Sequence, residues 1–468
     1  MADILQDQFQ LLTLRCSVDQ RFASGEQQRR QFVALCQLYQ GDKVLGPETR
    51  TPLSHLGLGP ALKPELHGDP FPSLDGTAVA EQLFMAKSLL QAQGAPLWLH
   101  IARDAYQLAA LPWEELIAAV ADLRVLRVPN FLDNPGVPKA LPTIAICASA
   151  PHAKITGLDD TMRGTCDVLD ALNSAFISDP IKPAVHIFAD FELQNKLSSL
   201  GSQRFKDLNV VIAPYPATSA AAAAQSSPAS DIESPWLRWM SESLAGKVVD
   251  PIHFVCPGYF QEGNGAIALP ETPLVKADAK WARFVCAHDL TTLYNRLGCN
   301  IMGFTNVTTE PWNIGLRLLA FQLSWLRAGP VLLADYRDPP GTLPAIYEML
   351  LKAGRPKVLA PSRTQLACHP DVLSYQSSIP RSSGAIDECL LAIGRGAQSA
   401  QDVMPGLKVG LESTLDEKDV LAPASGQYLA NLRAQLREID EPSNFKKLEI
   451  EGSARALSFL EDLLKKSS

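Results

Sequence analysis

Short, uniformly apolar runs alternate with longer stretches of helical spacing along most of this chain, and that alternation sets its architecture. Leu97-Trp-Leu-His-Ile101, Thr143-Ile-Ala-Ile-Cys-Ala148, Ala184-Val-His-Ile-Phe188, Leu208-Asn-Val-Val-Ile-Ala213 and Pro251 to Cys256 are runs of five or six mostly apolar residues. Such runs suit strands of a parallel sheet buried on both faces, where polar alternation is lost. Further strands are predicted at Ala282 to Cys286, Asn300 to Phe304, Gly329 to Ala334 and Lys357 to Ala360. Between them, Thr77 to Gln93 carries Val79, Leu83, Phe84, Ala86, Leu89 and Leu90 on helical spacing, and Gly94 stops the run. Thr161 to Phe176, Phe191 to Leu200, the segment from Pro235 through Leu244, Trp312 to Leu326 and Leu343 to Ala353 read the same way.

Strand and helix in strict alternation predict an α/β protein: a mostly parallel sheet flanked by helices. Extra elements lie at both ends. Residues 8–19 alternate as a strand does, and Glu26 to Tyr39 reads as a helix or a second strand. Tyr428 to Ile439 and Ala454 to Lys466 look like amphipathic helices on either side of a short run, Lys447 to Ile450. Gly46 to Ser73, rich in Pro, Gly and His, is expected to be an irregular connection. These breaks divide the chain into an N-terminal α/β region (1–142), a central core (143–360) with a mobile loop at 214–234, and a C-terminal extension (361–468) ending in helices.

Composition narrows the function classes. A net charge of -8 without a basic block argues against direct nucleic-acid contact. The longest apolar helix pattern, Ile314 to Leu326, is broken by Arg317 and Gln322, so no membrane span is expected. The first residues, Met1-Ala-Asp-Ile-Leu-Gln-Asp, carry no positive region ahead of an apolar stretch and predict no secretory signal. Nine cysteines at irregular spacing suggest reduced thiols and a cytoplasmic protein. Cys286 and His288 lie close together, but no second pair completes a zinc set. Gly394-Arg-Gly396 lacks the rest of a phosphate loop. No cofactor-binding or metal-ligating residue is assigned.

The candidate chemistry centres on Ile252-His-Phe-Val-Cys-Pro-Gly-Tyr-Phe260 and the following Gly263-Asn-Gly-Ala-Ile-Ala-Leu269, a buried strand that ends in a glycine turn. Together with Leu111-Pro-Trp-Glu-Glu-Leu116, the strand and helix of Thr143 to Phe176, and the unit from Asn313 to Ala334, this segment resembles the CHAT domain, a caspase-like clan CD peptidase fold. The resemblance spans about residues 75 to 355. In active members a histidine and a cysteine at the ends of adjacent strands form the dyad. The resemblance places that histidine on Pro257, and the cysteine within Ile301 to Thr309, on Thr305 or a neighbour. Proline has no proton acceptor and no backbone N–H. The resemblance therefore implies a degenerate member with no catalytic residue: a pseudo-protease that works by protein–protein interaction, as a component or regulator of a bacterial defence or conflict system. Its partner would be a protease, an effector or a second copy.

Two alternatives stay open at this point. A cysteine peptidase could use a rearranged pair, from Cys256, Cys299 and His253. In an extended strand, however, the 253 and 256 side chains point to opposite faces, about 10 Å apart. Asp250 shares that strand with nothing obvious to activate. The other alternative is a small-ligand-binding α/β module at the strand C-termini, where Asp335-Tyr-Arg-Asp338 and the Asp190/Glu192 pair lie. Arg337 pairing with a neighbouring carboxylate, and Asp190 capping a helix, are the plainer readings of those residues. Trp236 and Trp239, on one helix face, read as core.

Overall fold

The computed structural model describes residues between 9 and 373, apart from 23–29, 59–72, 75, 91–94, 130–142, 152–156, 178–181, 200–203, 206, 216–231, 262–263, 271–272, 274–281, 308–312, 327–328 and 353–358. The body of the 214–234 loop, Gly394-Arg-Gly396 and both C-terminal helix patterns lie outside the described residues.

The strands are β1 (Leu12–Phe22), β2 (Arg30–Gln40), β3 (Lys43–Val44), β4 (Thr49–Pro52), β5 (Leu97–Ile101), β6 (Val125–Arg127), β7 (Thr143–Ala148), β8 (Ala184–Ala189) and β9 (Asn209–Ile212). They continue as β10 (Val249–Val255), β11 (Gly258–Gln261), β12 (Asn264–Pro270), β13 (Ala282–Cys286), β14 (Met302–Asn306), β15 (Val331–Asp335) and β16 (Gln365–Ala367). One mixed sheet holds thirteen of them in the order β3-β2-β1-β5-β6-β16-β15-β14-β10-β7-β8-β9, with β4 also on β2. The remaining three, β11-β12-β13, form a small antiparallel sheet.

The large sheet is two parallel blocks set against each other, with an antiparallel edge where β2 pairs β1, β3 and β4. β1, β5, β6 and β16 pair parallel. β15, β14, β10, β7, β8 and β9 also pair parallel. The blocks meet at the antiparallel pair β15–β16. Strands from before and after residue 142 therefore share one sheet.

Helices cover both faces of the second block, which is why its strands are apolar throughout. On β7, Ile144, Ile146 and Ala148 face one core while Ala145 and Cys147 face the other. The first face is covered by α4 (Leu158–Ala175) and α9 (Thr342–Leu351). The second is covered by α6 (Pro235–Ser243), α7 (Ala287–Leu297) and α8 (Ile314–Leu326). A third core lies under α1 (Ala78–Leu90) and α3 (Trp113–Ala121), which follows the short α2 (Tyr106–Ala109). The remaining helix, α5 (Phe191–Ser199), adds Leu193 and Leu197 to the first core.

Helix α8 is buried nearly all round. Leu316, Leu319 and Leu323 enter the second core, and Leu318 and Phe321 the third. Each such leucine contributes about 1.5–3 kcal/mol by leaving water. The helix lies directly on the β11–β12 hairpin. A Cβ at Gly258 would collide with Asn313 and Leu316, and one at Gly265 with the backbone of Gly315 and Leu319. The glycines after Pro257 are therefore there for close backbone approach.

Of the stretch from Glu26 to Tyr39, open between helix and strand, residues 30–39 form a strand: Ala34, Cys36 and Leu38 recur at period two and are buried in the third core. One expectation changes. The strand expected at Lys357 to Ala360 is not there, since residues 359–360 have no regular structure and 357–358 fall outside the described set. The strand at this point in the chain is β16, five residues later. Pro361 has no N–H to extend a ladder, and the three-residue run Gln-Leu-Ala is too short to carry a periodic signal.

Candidate functional site

The parallel register of β10 and β14 sets His253 beside Gly303 and Val255 beside Thr305. Alternation then divides β10. Ile252, Phe254 and Cys256 pack into the second core, and His253 and Val255 face the first, on the side of α4 and α9. Gly303 has no side chain because the His253 imidazole occupies that space: a Cβ there would overlap Nδ1.

His253 is fully buried, yet both ring nitrogens are bonded. Nε2 lies 2.7 Å from Thr305 Oγ1, and Nδ1 contacts the Tyr347 hydroxyl. Burial pushes the imidazole down to about 3, so it is neutral at physiological pH. Burial likewise holds the Tyr347 phenol well above its ordinary value, so its proton stays on.

The tautomer follows from satisfying Tyr347. Among the described residues, its hydroxyl has one partner, His253 Nδ1. Leaving a buried donor unmade costs about 1–3 kcal/mol. With the Tyr347 O–H donating to Nδ1, the ring proton sits on Nε2 and is given to Thr305 Oγ1. The chain of donors runs outward from Tyr347 through His253 to Thr305. In that tautomer Nε2 already carries a proton and does not accept one from Thr305.

The cysteines expected near this site lie elsewhere. Cys256 is buried in the opposite core with Sγ 3.5 Å from the Cys147 carbonyl. Cys299 Sγ lies 3.3 Å from the Ile301 carbonyl and 3.6 Å from Asp250 Oδ1. A His253–Cys256 or His253–Cys299 pair is therefore not formed. Asp250 accepts from the Ile301 N–H at 2.8 Å and so fixes the start of β14. Pro257 closes the hairpin through its carbonyl, which accepts from Ala268 N–H. Cys286, the exposed thiol among the described residues, caps α7 through Asp289. Trp236 and Trp239 are buried in the second core.

Asp190 does not cap α5 with its carboxylate. It ties the ends of β7 and β8 together, accepting from Ala150 N–H at 2.5 Å and from Ser149 Oγ at 3.3 Å. Burial raises it to about 7 despite those bonds. Glu192 sits in the first turn of α5.

Asp335 does pair with Arg337, whose Nη2 lies 2.6 Å from Oδ2. Arg337 and Arg363 also reach Glu115, at 3.4 and 2.8 Å. The adjacent Glu114, from Leu-Pro-Trp-Glu-Glu-Leu, is fully buried between Arg127 at 2.7 Å and Arg317 at 3.3 Å. Burial would raise the Glu114 carboxyl, but the two guanidiniums outweigh it and hold it below the ordinary value. The sequence signals for this cluster were Glu114 in Leu111-Pro-Trp-Glu-Glu-Leu116 and the charge of Arg317 inside a mostly apolar run.

A cleft of 360 Å³ opens at the C-terminal ends of β14 and β15, between α4 and the start of α9. Asp167 and Asp170 of α4, Thr305, Asp335, Tyr336, Asp338 and Thr364 line it. Asp170 pairs with Arg204 at 2.6 Å. Asp338 is bonded by neutral donors, Thr364 Oγ1 at 2.6 Å, Arg363 N–H at 2.7 Å and Thr364 N–H at 2.9 Å. Burial raises both Asp338 and Asp167.

No protein-family model, curated protein or solved structure matches the chain. Among the described residues no helix is long and apolar enough to cross a membrane, and no group of three or more His, Cys, Asp or Glu side chains is placed to hold a metal ion.

Proposed function

We propose that this chain is a caspase-like protein, akin to the CHAT domain, that carries no peptidase chemistry and acts by binding another protein. The observation that carries this reading is the enclosure of His253: the imidazole is fully buried and both its ring nitrogens are engaged, by Thr305 and Tyr347. Pro257 supplies no base at the other dyad position, and the buried thiols pack away from the histidine. The resemblance supplies the setting, a cytoplasmic component or regulator of a bacterial defence system. Its partner would be a protease, an effector or a second copy of the chain.

The test is turnover of fluorogenic peptide pools by the full chain. No cleavage above that of Thr305→Ala is expected. Iodoacetamide is expected to label Cys286 before any other described cysteine, because thiolate access controls the reaction. Thiol-dependent cleavage that disappears in Cys256→Ala would overturn the reading. The cleft beside Thr305 favours a second, compatible reading as a ligand-binding module.

A further inference from the structure

We propose that Cys16 and Cys36 are a redox pair, which a peroxide joins in a reversible disulfide that pins the root of the β1–β2 ribbon. This does not rest on the absence of peptidase activity.

The backbone sets the pair up. Cys16 lies directly opposite Cys36 in the antiparallel register of β1 and β2. Facing residues in such a ladder alternate between hydrogen-bonded pairs and non-hydrogen-bonded pairs, and the latter bring their Cα atoms to about 4.5 Å. Gly41 N–H donates to the Leu11 carbonyl, so hydrogen-bonded pairs fall at odd positions along β1 and Cys16 falls between them. The carbonyls agree. That of Cys16 accepts from Ala102 N–H and that of Cys36 from Thr49 Oγ1, each on the side away from the other strand. A Cα separation of about 4.5 Å lies inside the range of about 4.4–6.8 Å that disulfides span. The two Sγ atoms are already 3.5 Å apart. Cys147 and Cys256 also sit on neighbouring strands, but Cys147 lies opposite Phe254, two residues from Cys256. Strand spacing and rise then put their Cα atoms about 8 Å apart, too far to bridge.

The position gives the bridge its effect. β5 backs β1 only as far as Cys16, and β4 backs β2 only from Val33 to Cys36. Past Val33 the ladder continues to Phe22 and Arg30 with no third strand among the described residues. A two-stranded ribbon is marginal by itself, so a covalent tie at its root restrains its opening. Both thiols are buried in the third core, and burial raises the Cys16 thiol well above its ordinary value. The reactive thiolate therefore forms when the root opens to water, and a small uncharged oxidant suits that setting. One Sγ attacks the peroxide O–O bond, giving a sulfenic acid and one water. The second Sγ displaces the sulfenic oxygen as another water and forms the S–S bond. The two thiols are oxidised, the peroxide is reduced, and both thiol protons leave in the two waters.

The test exposes the full chain to hydrogen peroxide, in buffer and in urea below its unfolding transition. Remaining thiols are then blocked with N-ethylmaleimide in denaturant, and peptides are mapped by mass spectrometry without reduction. A Cys16–Cys36 cross-linked peptide is expected as the first disulfide among the described cysteines, forming faster with urea and disappearing with dithiothreitol. In the bridged protein, amide exchange over residues 17–22 and 30–35 is expected to slow about tenfold, and to recover on reduction. Peroxide is expected to leave that exchange unchanged in Cys36→Ala. Wild type before and after dithiothreitol carries the same comparison if the variant does not fold. A first disulfide between any other pair, maleimide on both Cys16 and Cys36 after the longest peroxide exposure, or unchanged ribbon exchange in the bridged protein would overturn the proposal. Any of these would leave the non-catalytic reading intact, because that reading depends on His253 and Pro257. Peptide turnover would sink that reading without touching the cysteine pair.

Discussion

Two buried polar clusters among the described residues solve the same problem in opposite ways. Tyr347, His253 and Thr305 are uncharged and linked in a line, so each buried donor up to Thr305 has an acceptor. Glu114, Arg127 and Arg317 keep their charges and depend on mutual attraction to offset desolvation. In the first cluster, loss of a member costs about a hydrogen bond. In the second it strands charge, which costs far more. The difference also separates roles: the neutral line ends at a cleft, and the charged cluster ties α3 and β6 to α8.

The largest expected effect is therefore at Glu114. Glu114→Gln removes the carboxylate that two buried guanidiniums share and is expected to cost about 3–5 kcal/mol in urea unfolding. Replacing all three residues with methionine should cost far less than Glu114→Gln alone. If the triple replacement is as damaging as the single one, the cluster is not held by charge.

On the neutral side, Gly303→Ala is expected to cost about 1–3 kcal/mol, because its Cβ displaces the imidazole. Tyr347→Phe comes next, at about 1–2 kcal/mol, and frees Nδ1 to take the ring proton. Nitrogen-15 shifts of the imidazole distinguish the two tautomers directly. If wild type already carries the proton on Nδ1, the outward donor direction fails.

The smallest effect is in the pH dependence, because two buried groups oppose each other. His253 is lowered from 6.5 to about 3, so its contribution is present above 6.5 and lost as pH falls toward 3. Asp190 is raised from 3.8 to about 7, so its contribution is present below 3.8 and lost as pH rises through 7. Between about pH 4 and 6.5 the slopes have opposite signs, each at most about 1.4 kcal/mol per pH unit. Asp190→Asn is expected to steepen the loss of stability on acidification relative to wild type, read as urea midpoints at pH 7, 6 and 5. An unchanged or shallower profile would mean that Asp190 is already charged in that range.

Much of the architecture was legible in the chain. The runs at Leu97 to Ile101 and Thr143 to Ala148 fold as strands with those bounds, because burial on both faces leaves apolar segments, and Ala282 to Cys286 does so in the small antiparallel sheet with only Val285 buried. β16 was not, being three residues long and held by neighbours far away in sequence. At the site, the sequence marked Thr305 and Pro257 and set His253 and Cys256 on opposite faces. It gave no sign of Tyr347, which reaches His253 from a helix 94 residues later.

Local order, then, belongs to the sequence: apolar spacing decides which segments are strands and which side of each is dry, and Pro257 withholds a base whatever surrounds it. What only the tertiary structure decided is which polar groups meet. The β10–β14 register, the missing side chain at Gly303 and the seating of α9 bring 253, 305 and 347 together. A pattern of apolar positions encodes a buried face without naming the neighbour across it, so a hydrogen bond between residues 52 apart in sequence is fixed by packing alone.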